Sequence, residues 1–230
     1  MFSAALAGLV VGTAVTAAQM VGTAPLIQQS EVYERKAEAA PVPAPTGHQH
    51  AAGHDHGAAA WEPADGLQRN AFTFGANILT AIGFGMLLTG IFALRGRPVD
   101  WREGLLWGLG GFVVFTVAPG LGLPPELPGT ASAALTDRQV WWAATAVLTA
   151  GALALLFYVR AAKPVWVLLA VAMLVAPHLI GAPQPAAYAS AAPESLAHRF
   201  VALTAVAMLL SWLSAGVLSG YFYKRFVQTG

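Results

Sequence analysis

The chain has 230 residues, of which 57% are hydrophobic and only 10% charged, with a mean hydropathy of +0.60. A soluble globular domain carries roughly 25% charged residues, so the composition excludes that class and points to an integral membrane protein. With no cysteine, disulfides, thiolate metal sites, iron–sulfur clusters and cysteine nucleophiles are all excluded, and a net charge of +1 with scattered basic residues argues against nucleic acid as a partner.

Apolar runs too long for a soluble core recur along the chain. Hydrocarbon offers no partner to an unpaired backbone amide, so such runs fold as membrane-spanning helices. The pattern predicts an all-α helical bundle with about six transmembrane helices, near Phe2 to Ile27, Ala71 to Leu94, Leu105 to Ala118, Val140 to Val159, Val165 to Ile180 and Ala197 to Phe222. The first run is too long for a signal-peptide core and has no Lys or Arg before it, so it is expected to remain as a helix. The third and fifth runs are short, and each closes on a proline, Pro119 or Pro177, which removes a backbone donor near the helix end.

Between the first two runs lies His48-Gln-His50-Ala-Ala-Gly-His54-Asp55-His56, which holds four of the six histidines. Clustered imidazoles and a carboxylate are the ligand types of a site for a divalent transition metal. The surrounding prolines, glycines and alanines cannot bury a core, so residues 37–60 are expected to form a disordered loop without ligand. Such a tether binds Co²⁺, Ni²⁺, Cu²⁺ or Zn²⁺ weakly and with little selectivity, because ordering the chain offsets coordination. Two readings stay open, a metal-collecting loop and a silent spacer. In either case the metal is cargo, and no resident cofactor is expected.

Small residues at four-residue spacing mark helix contacts in lipid. Ala4, Gly8, Gly12 and Thr16 form one ridge, Gly104 and Gly108 a second, Gly216 and Gly220 a third. Gln19, Met20, Asn77, Thr80 and Thr116 are the candidates for a polar path, since no acidic or basic residue falls mid-span.

The stretch Ala118 to Gly129 packs four prolines, three glycines and one carboxylate, Glu126, into a rigid non-helical loop. It either faces a cavity or forms a stiff surface turn. Val117-Ala-Pro119-x-Leu121-x-x-x-Pro125 is echoed by Val175-Ala-Pro177-x-Leu179-x-x-x-Pro183, either as a parallel repeat or by coincidence. His178 and His198 are the histidines outside the loop, and neither lies at a depth suited to a bis-imidazole haem. Glu126, His178 and His198 join the loop residues as candidate metal ligands.

Basic residues near helix ends give the orientation. Arg95, Arg97, Arg102, Arg160, Lys163, Lys224 and Arg225 fall on one side, and Arg35, Lys36, Arg69, Arg138 and Arg199 on the other. The first set is expected in the cytoplasm, with both termini, and the histidine loop outside an inner membrane.

The run PGLGLPPELPG from Pro119 to Gly129, then Asp137-Arg138-Gln139-Val140-Trp141-Trp142, then Ala176-Pro177-His178-Leu-Ile-Gly-Ala-Pro183, together with the histidine segment, resembles the predicted cobalt transporter subunit family CbtA. The resemblance runs through essentially the whole chain. It implies Co²⁺ import for cobalamin synthesis beside a small single-helix companion of the CbtB kind. A non-enzymatic transport subunit is therefore the expectation, with lipid, the divalent ion, the companion and a possible homo-oligomer as partners. No Walker A run is present, so ATP is not a direct energy source within the chain. A membrane metallochaperone or sensor, a metal- or haem-dependent membrane enzyme, and an accessory subunit that does not itself transport are the alternatives.

Overall fold

The computed structural model describes residues 2–39, 63–158 and 164–228, and the described residues form an all-helical bundle. The helices are α1 (Phe2–Val21), α2 (Ala24–Glu38), α3 (Leu67–Arg95), α4 (Trp101–Phe112), α5 (Leu135–Tyr158), α6 (Pro164–Ile180) and α7 (Glu194–Tyr223). A π-helical turn, Val113–Val117, and one more helical turn, Ala118–Gly120, continue α4; a second π turn, Lys224–Gln228, continues α7. Five helices are long and apolar enough to cross a membrane, and α6 is a shorter apolar helix of 17 residues.

The sequence reading ran the first span on to Ile27, whereas α1 stops at Val21 and the chain turns through Gly22 and Thr23. Pro25 then sits in the first turn of α2, where its missing N–H costs nothing. This second helix takes in the end of the expected first span and residues 28–38, whose polarity reads as the start of a loop. The histidine segment His48, His50, His54, Asp55 and His56 lies outside the described residues.

Four helices, α1, α3, α4 and α7, make the main bundle, with α1 against α3 and α4 against α7 as its two closest seams. Both seams are built from small residues. A Cβ placed on Gly12 would lie 2.6 Å from Ile78 Cα, and one on Gly8 would overlap Ile82. On the other seam, a Cβ on Gly216 would lie 2.8 Å from Gly108 Cα, and Gly104, Gly108 and Gly220 meet backbone carbonyls of the facing helix or its approach. In lipid the hydrophobic effect gives helices little reason to associate, so close backbone approach supplies the packing energy. Between the seams, Val11, Ala81, Leu88, Phe92, Val99 and Ala215 form the buried core.

The α5–α6 hairpin stands to one side and reaches the bundle through α5 and the π turn of α4. There Phe115 stacks on Trp212 at 5.4 Å and 5°, and also meets Phe84 at 5.5 Å and Trp142 at 6.0 Å. One inserted residue in a helix rotates everything beyond it. The π turn therefore sets which face of α4 carries Phe115.

The start of α1 and the π turn after α7 meet at the same end of the bundle. Phe2 and Phe226 pack edge to face at 5.4 Å, and Ser3 Oγ donates to Phe222 O at 3.3 Å. Arg95 and Glu103 pair across the tight α3–α4 connection. Asp100 caps α4 by accepting from the backbone N–H groups of Arg102 and Glu103.

Candidate functional site

The opposite end carries a cap made from three segments distant in sequence. α2, the connection after α4 and the connection after α6 enclose a second apolar cluster of Leu26, Leu127, Ala192, Leu196 and Phe200. Ser30 Oγ, fully buried, donates to Pro128 O at 2.9 Å and ties α2 to the proline-rich loop. The two connections pair through Ala131 N to Ala189 O at 2.8 Å and Ala191 N to Gly129 O at 3.1 Å. Gly129, at φ 74, turns the chain into this pairing with its Cα against Glu34 and Ala191, a place where any Cβ is strained. The proline-rich run is thus a rigid surface cap, with Leu127 as its apolar anchor.

Glu126 points away from that anchor and pairs with Arg138 at 3.0 Å, with 28% and 29% of the two side chains exposed. Arg138 uses Nη2 on Glu126 Oε2, while its Nε is buried without a partner among the described residues. The sequence reading named Glu126 but missed Arg138 as its partner; the Asp137-Arg138 pair opening α5 was the available signal.

His178 is half-buried in the last turn of α6. Its ring meets the indole of Trp141 edge to face at 5.9 Å. Trp141 Nε1 donates to Pro177 O at 3.2 Å, so this one side chain fixes the terminal turn of α6 and the imidazole on it. Gly122 packs against the same indole and against Ala182, since a Cβ on Gly122 would fall within 2.9 Å of both neighbours. His198, by contrast, is exposed on α7 and lies 3.6 Å from Glu194. Among the described residues no three His, Asp or Glu side chains gather as a metal site. Glu126, His178 and His198 share one end of the bundle without forming a ligand cage between them.

That end also differs in charge from the other. Glu31, Glu34, Glu38, Asp65, Glu126, Asp137 and Glu194 lie there among Arg35, Lys36, Arg69, Arg138 and Arg199. Among the described residues, the opposite end has Arg95, Arg97, Arg102, Lys224 and Arg225 but only two acidic side chains, Asp100 and Glu103. Clustered carboxylates raise the local concentration of cations.

A cleft of about 260 Å³ opens between the α1–α2 turn, the start of α3 and α7. Gln19 and Met20 line it from α1, and both were among the polar-path candidates. Just below, Asn77 Nδ2 donates to Gln19 Oε1 at 2.7 Å and to Thr16 Oγ1 at 3.0 Å. Thr80 is on an exposed face of α3, and Thr116 sits in the π turn of α4, outside this group.

Five long apolar helices, four of them close-packed on glycine seams, define a helical integral membrane protein. The family model described as "Probable cobalt transporter subunit (CbtA)" matches residues 1–224. The chain belongs to this CbtA family of cobalt transporter subunits. No curated protein and no solved structure gives a significant match.

Proposed function

We propose that the chain imports Co²⁺ for cobalamin synthesis, taking the ion from the capped end of the bundle toward the end that holds both termini. The observation that carries this reading is the placing of the cap. The histidine segment follows α2 and precedes α3, and Arg69 on α3 pairs with Glu31 on α2, so both ends of the segment leave from the face that bears Glu126 and His178. His48, His50, His54, Asp55 and His56 collect the ion there, and Glu126, His178 and His198 receive it. A two- or three-donor surface needs further ligands to fill a first-row metal's coordination sphere, and the histidine segment supplies them.

The positive end belongs in the cytoplasm by the basic-residue rule, which puts the cap outside the inner membrane. A companion helix of the CbtB kind, or a second copy of the chain, would pack on the apolar faces left exposed, among them that of α6. Imidazole and carboxylate also suit Ni²⁺ and Zn²⁺; the family match favours cobalt. The closed glycine seams favour a second reading, an accessory or chaperone subunit that binds the metal outside without moving it.

Radioactive Co²⁺ uptake by cells expressing this chain alone separates the two. Accumulation above that of an empty-vector strain supports import by the chain itself. Uptake that appears only with the companion subunit supports the accessory reading.

A further inference from the structure

The cleft beside α7 is a different place from the Glu126–His178 surface, and it has different chemistry. Its wall is uncharged apart from Arg69. Amide and hydroxyl groups come from Gln19 on α1, Thr23 on the α1–α2 turn and Asn70 and Thr73 on α3, and thioethers from Met20 and Met208. Thr204 Oγ1, on the α7 side, is buried and has no hydrogen-bond partner among the described residues. An unpaired hydroxyl between apolar helices is costly, and this one stands beside the cleft wall.

The polar file continues below the cleft. From Arg69 in the first turn of α3 to Asn77 is eight residues, about 12 Å of helix at about 1.5 Å per residue. Asn77 there holds Gln19 and Thr16 through its amide nitrogen. This leaves the side-chain oxygen of Asn77 as an acceptor. Beneath them the α1–α3 seam closes, with Gly12 against Ile78 and Gly8 against Ile82. The file is a vestibule that ends on an amide and hydroxyl floor.

We propose that this vestibule is a binding site for a hydrated divalent cation, Co²⁺ under the transport reading on which the proposal rests. Six waters at about 30 Å³ each occupy roughly 180 Å³, and the cleft offers about 260 Å³. The ion enters with its water shell, whose hydrogens bond to oxygens on the cleft wall, those of Gln19, Asn70 and Thr73, while Asn77 holds Gln19 in place from below. At the mouth Arg69 is matched by two carboxylates, Glu31 and Asp65, so the rim carries a net negative charge. Neutral dipoles deeper in hold the ion loosely enough for it to leave again, which conduction requires.

The absence of cysteine gives a clean background for a direct test. Ala207→Cys puts a thiol on the cleft wall; Thr80→Cys puts one on the exposed face of α3. In the purified full chain, Co²⁺ is expected to slow maleimide labelling of the first thiol and leave the second unchanged. Adding Gln19→Glu should lower the half-protecting Co²⁺ concentration roughly tenfold, because a carboxylate replaces an amide of the same shape. Adding Asn77→Leu should remove protection, which also rules out the new thiol as the ligand. Thr204→Cys serves as a second reporter if Ala207→Cys does not fold.

Unchanged labelling at saturating Co²⁺ overturns the proposal, as does protection that persists with Asn77→Leu. Co²⁺ uptake by the same cells scores transport separately. Protection without uptake keeps the cleft and removes transport; uptake without protection removes only the cleft.

Discussion

Trp141 donates its indole N–H to the carbonyl of Pro177, joining the start of α5 to the end of α6 at 3.2 Å. The same carbonyl accepts from Gly181 N at 3.1 Å, so the last turn of α6 is closed from two directions. The imidazole of His178, one residue on, inherits its position from this arrangement.

Trp141→Phe keeps an aromatic ring but removes the donor together with part of the indole's volume. It should cost at least about 1 kcal/mol, the net worth of a typical hydrogen bond, read as a lower Tm in detergent. Trp141→Ala also empties the space against Gly122, with a loss of about 3–5 kcal/mol. Equal effects of the two changes would show that the hydrogen bond, and not the packing, holds this corner.

The Glu126–Arg138 pair sets a second expectation. Arg138 competes with any cation for the carboxylate, so Arg138→Gln should lower the Co²⁺ concentration that half-saturates uptake, by roughly three- to tenfold, while Glu126→Gln raises it. If both changes shift uptake the same way, the pair is structural and Glu126 does not receive the ion.

The glycine seam between α4 and α7 can be probed by contrast within one helix. Gly108→Leu drives a side chain into the carbonyl of Trp212, whereas a Cβ on Gly110 has no neighbour within 4 Å. The first should abolish a monodisperse folded peak in size-exclusion chromatography. Gly110→Ala should leave Tm unchanged or raise it, by up to about 1 kcal/mol in stability, since alanine is the better helix former.

Deleting His48 to His56 should raise the half-saturating Co²⁺ concentration without lowering the maximal rate, because a collector acts on local concentration. A lost maximal rate at saturating Co²⁺ would mean that these histidines lie on the path itself.

The helical class and the packing ridges were legible because lipid makes them so: spanning helices must be long and apolar, and close contact needs small residues in rows. Gly104, Gly108, Gly216 and Gly220 could be picked out from spacing, but not that the two pairs face one another, because spacing names a face and not its partner. α2 escaped because Gln28, Gln29 and Ser30 read as loop, and its helicity is supported by Leu26 and Ser30 docking on Leu127 and Pro128, residues nearly a hundred positions away. The π turn at Val113–Val117 has no sequence mark at all. Of the vestibule, Gln19, Met20 and Asn77 were visible as polar or sulfur-bearing side chains in apolar runs; Thr204 and Met208 were not, since one threonine or methionine in a helix is unremarked until its neighbours are known.

The order in which the ribosome delivers these helices now acquires a meaning. The glycine ridge of α4 has its mate on α7, and α5 and α6 must be made in between. α1 likewise waits for α7 to complete its surroundings. Until that helix is threaded into the bilayer, the nascent chain holds α1 and α3 as one pair while α4 stands beside it with an unfilled groove. Biogenesis therefore finishes with a single late docking event, and a stalled or shortened product would present that groove to whatever insertase or quality-control protease surveys the membrane.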